Sequence, residues 1–341
     1  MSFEERPTIV DVDQEITKEI HGYTKMKKKY VWVGPELYFY PDTYRTFGPK
    51  FYEFAIRPTD IFLVAHPRTG TTWVSEMIWL LNNNLNYAKA KNLDIDSRFP
   101  LLDLCLVLTP ESEKERLNRI PNEMDKQFLR NLVEPTVNKI INAPSPRLIK
   151  THLPFSLLPP TLLDTTKVVY LIRDPRDVIV SMYHIGKLRF LKDDVDFATF
   201  WSLFRRGLVT WSPIFSHLKE AWRMRVNSNM LFLKFEELSA NLPGSLRRLA
   251  NFFGKSYSDD QIQSLSKHLG FDEFKKNSAV NQSQGFHKLG IVNEDYAFIR
   301  KGKVGDWRTY FTDELKPDVD KWMSDNMKNI DPSCLLYTTE G

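Results

Sequence analysis

Residues 61–80 read Ile61-Phe62-Leu63-Val64-Ala65, then His66-Pro67-Arg68-Thr69-Gly70-Thr71-Thr72-Trp73, then Val74-Ser75-Glu76-Met77-Ile78-Trp79-Leu80. The first five residues are apolar and mostly β-forming. A short apolar run stopped by Pro and Gly reads as a strand buried on both faces. Apolar residues at 73, 74, 77, 78 and 80 have helical spacing. Between the two lies a loop with several hydroxyls, one glycine and one guanidinium. A strand, such a loop and a helix N-terminus together form an anion site, because the free N–H groups of the first turn and the helix dipole both favour negative charge. Thr69, Thr71 and Thr72 add hydroxyl donors and Arg68 a fork of charged N–H groups. The chemistry points to phosphate or sulfate. The alternative is an ordinary strand-to-helix turn with a polar cap. A Walker A loop is excluded, since that pattern needs a second glycine followed by Lys.

Three further stretches carry groups that suit the same ligand. Residues 147–154, Arg147-Leu148-Ile149-Lys150-Thr151-His152-Leu153-Pro154, read as a strand delivering polar groups at its C-terminal end, where open parallel sheets bind ligands. Lys150 and His152 are two positions apart and share one strand face. Residues 167–184 read as a second buried strand, a short turn and a helix starting near Pro175. Arg173 at the strand end and Ser181 on the helix can converge on one anion. An Arg173–Asp177 surface ion pair is the structural alternative, and a minor stabiliser. Residues 298–311 begin Phe298-Ile299-Arg300-Lys301-Gly302. There two adjacent cations precede a glycine that permits close backbone approach to a phosphate.

Taken in order, these stretches resemble the cytosolic sulfotransferases. Residues 66–73 are similar to that family's Y-P-K-S-G-T-T-W loop, with Arg68 where the family usually has Lys. Residues 150–154 are similar to K-T-H-L-P, the stretch within residues 167–184 to V-x-x-R-[ND]-x-[KR]-D-x-x-V-S, and residues 298–307 to F-x-R-K-G-x-x-G-D-W. The likeness runs from about residue 40 to 335. It implies a single α/β domain, residues 1–341, with a central parallel β-sheet flanked by helices and a P-loop-like phosphate site. It also implies 3′-phosphoadenylyl sulfate as donor, adenosine 3′,5′-bisphosphate as product and no metal. By the same resemblance His152 is the general base, assisted by Lys150 and Arg68, and Lys150, Thr151 and His152 face the acceptor. Arg68, Thr69, Gly70, Thr71 and Thr72 hold the 5′-phosphate. Arg173, Ser181, Arg300, Lys301 and Gly302 hold the 3′-phosphate. Trp73, Phe235 (in place of a family Tyr), Leu269 (in place of Thr) and Phe271 surround adenine, and Phe274 and Ile299 belong to the same nucleotide-binding stretches. Two variants of this activity stay open: a nucleotide-binding homologue of weak activity, and sulfation that drives dehydration of an allylic alcohol, as in the retinol-dehydratase branch of the family.

Composition is consistent with this. The chain has 341 residues, 42% hydrophobic and 26% charged, with a net charge of +4. That balance suits an anionic ligand and does not suggest a nucleic-acid protein, which would show a clustered basic face. Two cysteines, Cys105 and Cys334, give no disulfide framework. No apolar run approaches the ~18 residues of a membrane span, and Met1–Lys29 has no apolar signal region. A cytoplasmic enzyme acting on a small hydroxyl compound, as monomer or homodimer, is expected, with neither membrane nor nucleic acid as partner. Residues 1–29, ending in Lys25, Lys27, Lys28 and Lys29, read as a polar arm with a solvated charge cluster. The aromatic-rich stretch 30–54 is expected to supply core and some of an acceptor pocket. The gap between residues 68 and 150 is long for the family, so about 86–142 reads as an insertion, helical over Asp125–Ile141, of the kind that often forms a lid.

Overall fold

The structure is a computed structural model that describes residues 6–281, 299–328 and 330–335. Four strands, β4 (Ile61–Val64), β5 (Leu148–Thr151), β6 (Lys167–Ile172) and β7 (Met230–Lys234), form a parallel sheet in the order β5-β4-β6-β7. Each is nearly continuous in apolar residues because both faces are covered. Alternation along the strands separates two cores. Phe62, Val64, Ile149, Val168, Tyr170 and Phe232 pack on one side. Leu63, Val169, Leu171, Leu231 and Leu233 pack on the other, against Val74, Met77 and Ile78 of the helix Thr71–Asn82. The expected architecture is therefore present, and its register places the loop after β4 beside those after β5 and β6: Val64 pairs with Thr151 on one side and Tyr170 on the other.

The opposite end of the sheet is closed by charge. Asp60, just before β4, accepts from Arg147 Nε at 2.9 Å and Arg147 Nη2 at 2.5 Å, with both side chains buried. Such a bidentate pair fixes the starts of two strands, and removing one partner leaves a buried charge at a cost of about 3–5 kcal/mol.

A second, antiparallel sheet is made of β1 (Ile9–Asp11), β2 (Tyr30–Val33) and β3 (Tyr38–Pro41). Residues 6–29 are thus no detached arm. β1 pairs with β2, and Val12 and Ile20 bury against Tyr30, Phe39, Leu203 and Leu208. The amphipathic stripe of the helix Gln14–Tyr23 explains this; its polar residues dominate the composition but face outward. The charged stretch after residue 110 is helical too, over Pro110–Arg119 and Glu123–Val133, because Glu, Lys and Arg are good helix formers. Ile120, Leu129 and Val133 of this hairpin pack on Leu108, with Ile185 and Leu188 against them. β7 ends at Lys234, and Phe235 already opens the helix Phe235–Ala240.

Candidate active site

The loop after β4 turns sharply. Arg68 lies in the left-handed region at φ 69°, and Gly70, the N-cap of the helix Thr71–Asn82, at φ 104°. A Cβ on Gly70 would stand 2.8 Å from the Phe235 ring, so the position needs glycine for space as well as for φ. Arg68 Nε donates to Ser181 Oγ at 3.0 Å, joining the first loop to the helix Pro175–Arg189. Arg173 lies over the Phe235 ring at 4.5 Å and donates to the Lys303 carbonyl at 2.9 Å. Its pair with Asp177 is at 3.5 Å. That pair is buried rather than on the surface. Burial pushes the Asp177 carboxyl up, against the pull of Arg173, and it accepts from the N–H groups of Gly305 at 2.8 Å and Trp307 at 3.0 Å. Asp177 thereby ties the 300–307 stretch to the β6 loop. Arg300 and Lys301 share Asp306, at 2.5 and 2.6 Å. Gly302, at φ 62°, touches the Phe271 ring, which a Cβ there would meet at 2.3 Å.

At the end of β5, His152 is buried. Its Nδ1 lies 2.7 Å from the Ala65 carbonyl, which can only accept, so Nδ1 carries the proton and Nε2 keeps its lone pair. Burial pulls the His152 pKa down, opposed by the nearby Asp103, so the ring is neutral at neutral pH. Asp103 is a hub absent from the sequence reading. It accepts from the His152 N–H and Thr151 Oγ1, both at 2.9 Å, and from Trp211 Nε1 at 2.8 Å. Trp211 in turn meets the His152 ring edge-on at 5.7 Å. Lys150 Nζ pairs with Asp96 at 2.7 Å. Asp96 belongs to the short helix Ile95–Arg98, held by the buried Arg98–Glu76 pair at 2.6 Å, and Glu76 sits on the phosphate-loop helix. Neither carboxylate has a local sequence signature, since each finds its partner dozens of residues away.

One cavity of about 620 Å³ gathers these groups. Its wall includes Arg68, Gly70, Thr71, Thr72, Trp73, Lys150, His152, Arg173, Ser181, Phe235, Leu269, Phe271, Phe274, Ile299, Arg300, Lys301 and Gly302. Two expected residues turn away. Thr69 is buried and donates to the His66 carbonyl, and the Thr151 hydroxyl is taken by Asp103. Leu269 contributes its carbonyl, which accepts from Trp73 Nε1 at 2.9 Å. Phe298 lies outside the described residues. His217 is a core residue: it shares a 2.8 Å hydrogen bond with the Tyr170 hydroxyl, and burial pulls its pKa to about 3.

Beyond His152 the same cavity becomes apolar, lined by Tyr30, Phe39, Leu104, Leu108, Met182 and Ile185. Of the early aromatics Tyr30 and Phe39 therefore reach the chamber, as does Pro41, while Tyr38, Tyr40, Tyr44 and Phe51 are core. Lys28, counted above among solvated lysines, lines the chamber as well. Among the described residues no group of three or more His, Cys, Asp or Glu could hold a metal, and no helix is long and apolar enough to cross a membrane.

A parallel sheet that carries a phosphate-type loop, a neutral histidine and an apolar chamber at one edge defines a group transferase of the sulfotransferase fold. The sulfotransferase-domain family model matches residues 58–331, and the chain belongs to this family of 3′-phosphoadenylyl-sulfate-dependent enzymes. Luciferin sulfotransferase of Photinus pyralis is 33% identical over 302 residues, covering 86% of this chain and 78% of that protein. Sulfotransferase 1E1 of Bos taurus is 32% identical over 303 residues, covering 87% and 93%. The crystal structure of retinol dehydratase in complex with androsterone and inactive cofactor PAP (adenosine 3′,5′-bisphosphate) is 39% identical, with a TM-score of 0.88 over 96% of this chain and 98% of that one.

Proposed function

We propose that this chain moves the sulfuryl group of 3′-phosphoadenylyl sulfate to a hydroxyl of a small apolar alcohol or phenol. The observation that carries the proposal is the state of His152: neutral, with Nδ1–H fixed on the Ala65 carbonyl, standing where the cationic and apolar halves of one cavity meet. The residues present fit the nucleotide. Gly70 and Gly302 leave room for close backbone approach, and guanidinium, ammonium and hydroxyl groups line the same cavity. Gly70, Thr71 and Thr72 receive the 5′-phosphate at the helix N-terminus. Ser181, Arg173, Arg300 and Lys301 receive the 3′-phosphate, the last two by exchanging Asp306 for it. Trp73, Phe235, Phe271, Phe274, Leu269 and Ile299 enclose adenine.

In the transfer step His152 Nε2 takes the proton of the acceptor hydroxyl. The acceptor oxygen forms a bond to sulfur as the bond from sulfur to the 5′-phosphate oxygen breaks, and the electron pair departs with the bisphosphate. Arg68 and Lys150 stabilise charge on the transferring group and the bridging oxygen, as fixed cations do in phosphoryl transfer. The helices Pro110–Arg119 and Glu123–Val133 act as a cover over the acceptor end. Such an enzyme works in the cytoplasm, as a monomer or homodimer. Labelled donor incubated with a panel of phenols and alcohols tests the function: label should pass to an acceptor, and absence of both transfer and bisphosphate binding overturns the proposal.

The likeness to retinol dehydratase favours a second outcome of the same chemistry, in which an allylic acceptor loses its new sulfate by elimination. With an allylic alcohol, mass spectrometry separates the two: a sulfate ester supports simple transfer, whereas a product lighter by one water supports elimination.

A further inference from the structure

We propose that the acceptor, taken as a sulfuryl acceptor as above, carries a carboxylate at the end opposite its reacting hydroxyl, and that Lys28 receives it. The helix Pro175–Arg189 serves as a ruler along the cavity. Ser181, Met182, Ile185, Gly186 and Arg189 all line it, at the three- and four-residue spacing of one helix face. Ser181 lies beside Arg68 at the nucleotide end. Arg189 lies eight residues on, which at 1.5 Å per residue is ~12 Å away. The wall between is apolar, with Leu104, Val107, Leu108 and Ile185.

Lys28 stands on this wall beside Val107. Its ammonium has three donors, yet among the described residues it makes one hydrogen bond, to the Val107 carbonyl at the long distance of 3.4 Å. Burial pulls its pKa down; Glu113 counters that, Arg189 adds to it, and Asp42 counters it more weakly. The charged neighbours of Lys28 at this end are thus Glu113 and Asp42 on the acidic side and Arg189 on the basic side. A partly buried ammonium with donors to spare is costly unless something completes its hydrogen bonds. A fully solvated surface lysine would not share a cavity wall with Leu104, Val107, Leu108 and Ile185. An anionic tail on an apolar body about as long as the ruler satisfies the charge, the donors and the walls together.

The test uses ω-hydroxydecanoate and its methyl ester, which differ only in the charge at the far end. Calorimetry on the full chain saturated with adenosine 3′,5′-bisphosphate reads their binding without turnover, so the result is separate from any failure of the transfer assay. The acid should bind about tenfold more tightly than the ester. In Lys28→Met this preference should fall by about the same factor, and in Lys28→Arg it should persist. Bisphosphate binding by each variant reports that the variant is folded. Equal binding of acid and ester by the unaltered protein, or a preference untouched in Lys28→Met, overturns the proposal.

Discussion

The two ends of the parallel sheet hold charge in different ways. At the base, Asp60 and Arg147 satisfy each other through two hydrogen bonds and take no part in the lining of the cavity at the other end. At the top, Lys150 with Asp96, and Arg300 and Lys301 with Asp306, are pairs in which the cations line a cavity and so can exchange a carboxylate for a ligand oxyanion. A closed pair holds the fold together. An open pair keeps a cation oriented and available. Under the proposed function, the chain uses the same chemistry for stability at one end of its strands and for binding at the other.

Substitutions at the top should change rate before stability. His152→Ala should lower kcat by roughly 10²–10⁴, with bisphosphate affinity retained; steady-state kinetics and calorimetry on one preparation check both. At the base, Asp60→Ala should leave Arg147 buried and unpaired and cost about 3–5 kcal/mol in urea unfolding, with little change in the KM of whatever protein remains folded. A loss at either end that mirrors the other would dissolve the distinction between them.

Between these extremes stands Gly70→Ala. The left-handed φ and the Phe235 ring both oppose a Cβ, so bisphosphate affinity should drop about tenfold or more, while the melting temperature moves by only a few degrees. Asp96→Asn sharpens the comparison further. If Lys150 is an open pair, removing the competing charge should tighten donor relative to bisphosphate by a few-fold, because only the donor has a sulfuryl group to face Lys150. Equal effects on the two nucleotides would make Asp96 a structural residue like Asp60. The smallest expected effect is in pH. A buried His152 has its pKa lowered, so the reactive neutral form persists to lower pH than for a free imidazole. The kcat/KM profile should rise with pH, with its midpoint below pH ~6.5.

Much of the top end was legible because it is local. A strand, a loop and a helix start are contiguous between residues 61 and 80, and Lys150 with His152, Arg173 with Ser181, and Arg300 with Lys301 lie within single short stretches. The strands themselves were legible from their continuous apolar runs. What stayed hidden depends on partners far along the chain. Asp103 serves Trp211 across more than a hundred residues, and Asp96 reaches Lys150 from a segment that reads as featureless loop. Thr69 and Thr151 fit the pattern of ligand residues, but their hydroxyls are consumed by the His66 carbonyl and by Asp103. Lys28 was hidden by its neighbours, since three other lysines made its stretch look solvated.

The most direct measurement of the central claim, that two cationic lobes grip the two ends of one adenosine bisphosphate, is a pair of calorimetric titrations with adenosine 3′,5′-bisphosphate and with adenosine 5′-monophosphate. One-to-one binding of the bisphosphate, with the monophosphate weaker by roughly 100-fold, is the result expected if Arg173, Ser181, Arg300 and Lys301 hold the 3′-phosphate. Equal affinities, or no binding of the bisphosphate, would contradict it.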